Sequence, residues 1–128
     1  MKQYRPTPRR RDAPRWTPKE WADASLALLR RSGGRCEHCG ELLHGRAERH
    51  HRKRRRDGGD SLDNLILLAP AHHVPLIHRH VTWAQERGLI VMVALDPETE
   101  PVWYMNREWM LLDAAGGLLT SGPPDARG

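Results

Sequence analysis

The apolar residues Trp21, Ala24, Leu28 and Leu29 recur at the spacing of one helix face, interrupted only by Ser25, and predict a helix over residues 18–31. Thr17-Pro18-Lys19-Glu20 signals its start. A capping hydroxyl, a proline at the first helical position and a glutamate three residues after the cap together satisfy the first unpaired N–H groups. Arg30 and Arg31 suit the negative end of the helix dipole, and Gly33-Gly34 can adopt the left-handed cap that ends it.

Beyond Gly34 the pattern shortens. Cys36-Glu37-His38-Cys39-Gly40 reads as a tight turn with both thiols facing inward. Residues 46–51 predict a short strand, 52–63 a basic loop turning at Gly58-Gly59, and 65–68 a second, buried strand, making a hairpin with a wide loop. Leu76, Ile77, Val81 and Ala84 restore helical spacing over 72–87, with Gly88 as the stop; Pro75 either sits in a tolerated first turn or leaves an irregular one. The β-branched run 89–95 and residues 102–104 are expected to pair as a terminal hairpin, with Trp109, Met110 and Leu111 adding a third strand. Residues 1–15 hold three prolines, six Lys or Arg and almost nothing apolar, so a disordered basic arm is expected there. The organisation that follows is α+β: the arm (1–15), a central domain (16–95), a C-terminal β extension (96–119) and a disordered tail (120–128).

Composition narrows the class. The 128 residues suit one domain, and 38% hydrophobic residues with no Phe leave only a small core. No run of 18 or more apolar residues and no secretory leader is visible, so no membrane association and a cytoplasmic location are expected. Two cysteines three residues apart suit a metal knuckle or a redox pair better than a disulfide scaffold. The net charge of +5 is unevenly placed: residues 1–56 hold 17 Lys or Arg against 6 Asp or Glu, and 57–128 hold 4 against 10. Such one-sided positive charge makes nucleic acid the first partner to consider, the alternative being a solvated face that aids solubility.

All eight histidines lie between His38 and His80. A neutral imidazole is both a metal ligand and a base with a pKa near neutrality, so a histidine-rich pocket can bind a divalent ion and activate water. The order of the motifs is Cys36-Glu37-His38-Cys39-Gly40, Arg49-His50-His51-Arg52, Arg56-Asp57-Gly58-Gly59, Leu62-Asp63-Asn64-Leu65, His72-His73 and His78. From Arg35 to about His80 this order resembles the HNH endonucleases with their ββα-metal fold. The helical flanks and the strands after residue 88 are similar, more loosely, to small HNH proteins of bacteriophages and their actinobacterial hosts.

The resemblance implies a nuclease that hydrolyses DNA with one divalent ion such as Mg²⁺, Mn²⁺, Ni²⁺ or Zn²⁺. His51 would be the general base, His50 and His73 metal ligands, and Asn64 the brace of the loop that holds the base. His78 stands five residues after His73 where the family places its ligand four on, which here is Ile77. Either Pro75 adds a bulge that brings His78 in, or water or His80 takes the position. Cys36, Cys39 and His72 would hold a structural Zn²⁺ with His44 as a fourth ligand, or the knuckle is empty and the thiols are packed in the core. Arg52, Lys53, Arg54, Arg55 and Arg56 would contact DNA phosphates. The rival readings are a non-catalytic zinc-knuckle nucleic-acid-binding module and an accessory factor working with phage terminase or other packaging proteins.

Overall fold

In a computed structural model, which describes residues 15–124, the first helix α1 spans Pro18–Ser32. Residues 1–14 of the expected arm and 125–128 of the expected tail lie outside the described residues. The start of α1 is the reciprocal box read from the sequence: Glu20 N donates to Thr17 Oγ1 at 3.2 Å and Thr17 N to Glu20 Oε1 at 3.0 Å. Gly33 closes the helix in the left-handed conformation. Its buried positions are Ala24, Leu28 and Ser32; Leu29, expected on that face, is 46% exposed because it follows Leu28 by one residue and so turns away by a quarter of the helix circumference.

The wide hairpin forms from β1 (Glu48–His51) and β2 (Leu65–Leu68), antiparallel, with His50 opposite Ile66 and His51 opposite Leu65. Every residue of β2 is buried. Ile66 and Leu68 join the main core, and α1 packs against the same strand, so β2 is covered on both sides and reads as a continuous apolar run. The connecting loop is more ordered than the sequence suggests, holding a helical turn α2 (Arg55–Gly58) and a 3₁₀ turn at Leu62–Asn64.

The helix expected over 72–87 is broken into three pieces. A short α3 (Pro70–His72) runs into a π-helical turn (His73–His78), and α4 (Val81–Glu86) follows. Pro75 lacks the N–H that an α ladder requires, and the wider turn accommodates it. The breaks rotate the faces, so Ile77 and Ala84 are buried whereas Val81, expected beside them, is 46% exposed. Gly88 ends this region at φ +70°, where a Cβ would stand 2.0 Å from the Pro101 carbonyl oxygen, so only glycine fits.

Residues 89–95 form no strand, contrary to expectation. Their stretch of chain has its backbone groups taken up elsewhere: the carbonyls of Leu89 and Leu95 accept from His50 and Lys53, and Val91 N donates to the Arg52 carbonyl at 2.8 Å. The C-terminal sheet instead orders β3 (Val102–Tyr104), β4 (Glu108–Leu112) and β5 (Leu118–Thr120) as an antiparallel meander. Thr120, expected in the tail, thus belongs to a strand. Val102, Tyr104, Met110 and Leu112 share one core with Cys36, Ile66, Leu68 and Ile77, so the two small sheets close on a common interior. The molecule is α+β, and no helix among the described residues is long and apolar enough to cross a membrane.

Candidate functional site

The end of β1 and the π turn face one open cleft of about 710 Å³. On its floor one nitrogen each from His50, His73 and His78 lies within 4.8 Å of the others, an arrangement that can hold a metal ion. A π turn brings residues five apart onto one face, as an α turn does residues four apart, and this is how His78 meets His73. His80 is exposed and stands outside the group.

The surroundings of two of these rings prepare them as ligands. His50 Nε2 lies 2.7 Å from the Leu89 carbonyl oxygen, which can only accept, so Nε2 carries the proton and Nδ1 keeps its lone pair. Burial first, and then the nearby His73 and His78, lower the His50 pKa to about 3, so the ring is neutral at physiological pH. His73 Nδ1 donates to Glu48 Oε1 at 3.2 Å, leaving its Nε2 for a metal. Carboxylates behind ligating histidines fix the tautomer and raise ligand basicity.

His51 lines the same cleft but turns to the other side of the strand. Its Nε2 lies 3.0 Å from Asp60 Oδ1, and its ring stands edge-on to Trp21 at 6.1 Å. The Arg49 guanidinium covers Trp21 at 4.4 Å. Asn64, fully buried, closes the loop beside it: Oδ1 accepts from Lys53 N at 2.8 Å, and Nδ2 donates to the carbonyls of Lys53 at 2.9 Å and Gly59 at 3.0 Å. Gly58 packs so closely on this amide that a Cβ there would lie 2.5 Å from Nδ2.

The basic run divides. Phosphate contacts are expected of all five residues; Arg52 and Lys53 are 1% and 2% exposed, and their charged groups bond backbone carbonyls. The Arg52 guanidinium donates to the carbonyls of Gly88, Asp63, Pro97 and Glu100 at 2.7–3.0 Å, tying the hairpin to the segment before β3. Burial, with the charge of Arg31, lowers its pKa to about 9, still cationic at neutral pH. Lys53 Nζ donates to the Leu95 carbonyl at 2.8 Å. Arg54, Arg55 and Arg56 are exposed, although Arg55 donates from Nε and Nη2, one edge of its guanidinium, to the two oxygens of Asp60.

On the far side of the π turn, Cys36, Cys39 and His72 form a second group whose ligand atoms lie within 4.8 Å of one another, and Cys36 Sγ is 3.4 Å from His72 Nδ1. Two thiols and an imidazole are a donor set suited to zinc. His44 is exposed and does not join them, contrary to its expected place as the fourth ligand. His38 lies closer, its ring 5.0 Å from that of His72, and its buried Nδ1 has no hydrogen-bond partner among the described residues.

Sequence reasoning misses Glu48, Asp60, Arg31 and Glu37. Glu48 alternates with His50 on β1 and is legible in principle as a same-face neighbour. Asp60 meets His51 only because the loop folds back at Gly59, which no local pattern announces. Compared with known proteins, the chain matches no family, no curated protein and no solved structure.

Proposed function

We propose that this chain is a metal-dependent endonuclease with a ββα-metal (HNH) core that hydrolyses DNA phosphodiester bonds. One observation carries the reading: three imidazoles from β1 and the π turn converge on the floor of a cleft, and a further imidazole, His51, opens onto that cleft without belonging to their group. This separation of ligands from base is what hydrolysis by a single ion requires. A divalent ion held by His50, His73 and His78 would supply charge stabilisation to the phosphoryl oxygens and the leaving oxygen.

The chain's own groups do the rest. His51 takes the proton of the attacking water at Nδ1, the nitrogen that Asp60 does not occupy. Arg54 and Arg56, exposed at the rim, neutralise flanking phosphates and hold the backbone in register. Asn64 keeps the loop closed so that the base does not drift, since small misplacements are costly in rate.

A non-catalytic zinc-knuckle nucleic-acid-binding module is the second reading, favoured by the Cys36, Cys39 and His72 group. Plasmid cleavage assayed with Mg²⁺, Mn²⁺, Ni²⁺ and Zn²⁺, with a chelator control, separates the two. Cleavage that needs metal and is lost in His51→Ala supports the endonuclease. DNA binding without cleavage under any of the four ions supports the binding module.

A further inference from the structure

Asp60 sits where β1, α2 and the chain just before α1 meet. Its side chain is fully buried, and each of its partners is a donor. Oδ1 accepts from His51 Nε2 and Arg55 Nε, both at 3.0 Å, while Oδ2 accepts from Arg55 Nη2 at 3.0 Å and from the backbone N–H of Trp16 at 3.1 Å. A carboxylate held by a bidentate guanidinium and a backbone N–H is ionised and cannot donate. The proton between Asp60 and His51 therefore belongs to the imidazole.

From this geometry we infer that Asp60 is the positioning residue for His51, fixing its imidazole as the Nε2–H tautomer so that Nδ1 remains the proton acceptor in the cleft. The inference rests on the endonuclease reading for the use of that nitrogen. When Nδ1 takes a proton from water, the water oxygen forms the new bond to phosphorus, the bond to the leaving oxygen breaks with its electron pair staying on that oxygen, which takes a proton from solvent, and the imidazolium is stabilised by the Asp60 charge. Asp60 itself stays ionised throughout. Trp21, edge-on to the ring and backed by Arg49, limits the ring flips that would exchange the two nitrogens. Trp16 and Arg55 in turn hold Asp60, so the start of α1 and the basic loop both support the base.

The tautomer is read directly by long-range ¹⁵N–¹H correlation spectra at alkaline pH, with the His51 signals assigned by their loss in His51→Ala. The wild-type protein should show His51 with its proton on Nε2. In Asp60→Asn, Arg55 Nη2 and the Trp16 N–H hold the amide oxygen at the Oδ2 position, at the loss of the Arg55 Nε bond, and the NH₂ group then faces His51, which moves the imidazole proton to Nδ1. Turnover should then fall on the order of 10²- to 10⁴-fold at nearly unchanged KM, the pattern of a base left in the wrong tautomer. Asp60→Glu, which keeps the charge, should recover part of that loss. A wild-type spectrum with the proton on Nδ1 overturns the inference, as does an Asp60→Asn spectrum in which the tautomer is unchanged. Because the tautomer is read by spectroscopy and not by turnover, failure of the Asp60 pairing and failure of the endonuclease reading are separate results.

Discussion

The Arg31 guanidinium and the Glu37 carboxylate form a buried bidentate pair, Nε to Oε2 and Nη2 to Oε1 at 2.8 Å each. Arg31 lies in the last turn of α1, and Glu37 lies between Cys36 and Cys39. The remaining valences bind the surrounding elements: Arg31 also donates to the carbonyls of Leu62 and Leu65, and Glu37 accepts from Leu67 N and from the Tyr104 hydroxyl. One ion pair thus joins α1, the knuckle, β2 and β3.

Removing either charge strands the other in the interior. Glu37→Gln should lower the unfolding free energy by about 3–5 kcal/mol, the usual cost of leaving a buried charge without its partner. Urea denaturation measures it. In a double-mutant cycle, Arg31→Met combined with Glu37→Leu should cost clearly less than the two single changes added together. Additive losses would mean that the pair is not coupled.

Tyr104 gives this network a pH dependence. Burial and the Glu37 charge raise its phenol well above the ordinary value, against the weaker opposing effect of Arg31. In the unfolded chain it ionises near pH 10, so above that pH the unfolded state loses a proton that the folded state keeps. Stability contributed by the neutral phenol is present below pH 10 and declines as pH rises, by up to about 1.4 kcal/mol per pH unit. Urea midpoints at pH 9, 10 and 11 should fall more steeply for the wild-type protein than for Tyr104→Phe; parallel profiles would show that the phenol does not titrate between the two states.

The elements that carry their own local signal are legible in the sequence. The Thr17–Glu20 box, the all-apolar β2 and the Gly33 cap depend on neighbours in the chain, and they form where the pattern puts them. Residues 89–95 mislead because β-branched composition suggests a strand, whereas these backbone groups bond to side chains and to Arg52 from the hairpin. The basic run misleads for a related reason: five consecutive cations look alike in sequence, and only the loop's fold decides that Arg52 and Lys53 face inward. The spacing of His73 and His78 stays ambiguous until the π turn resolves it.

The histidine cluster makes separable predictions for binding and for chemistry. His50→Ala, His73→Ala and His78→Ala should each weaken divalent-metal affinity in titration calorimetry, whereas His80→Ala should not. His51→Ala should bind metal as the wild-type protein does and yet lose roughly 10² to 10⁴ in cleavage rate, the range for a general base. Metal affinity equal to that of the wild-type protein in all three ligand variants would dissolve the cluster as a metal centre. Glu48→Gln tests the support behind His73 and should lower affinity by about 10- to 100-fold.

The knuckle predicts a second, independent metal. Protein purified without added ions should contain about one zinc per chain, and Cys36→Ser should lose it together with several degrees of melting temperature, since a structural ion contributes directly to folding. His44→Ala should change neither quantity, because His44 is exposed and away from the group. Zinc-free protein with a melting temperature unmoved by Cys36→Ser would leave two packed thiols as the account of this site.

The division of the basic run predicts two different phenotypes from apparently equivalent substitutions. Arg54 and Arg56 are exposed at the cleft, so changing both to Ala should weaken DNA binding and flatten its dependence on salt, with the melting temperature nearly unchanged. On duplex DNA the slope should drop by about 0.9 for each phosphate that is no longer neutralised. Arg52→Ala should do the reverse. Its guanidinium bonds four carbonyls in the interior, and removing it deletes all four of these buried hydrogen bonds and the packing of the side chain, so the protein should unfold at much lower temperature. Differential scanning calorimetry and salt-dependent fluorescence anisotropy on the same preparations distinguish these effects. A stable Arg52→Ala protein with a reduced salt slope would put Arg52 on the DNA after all, and its inward packing would have to open on binding.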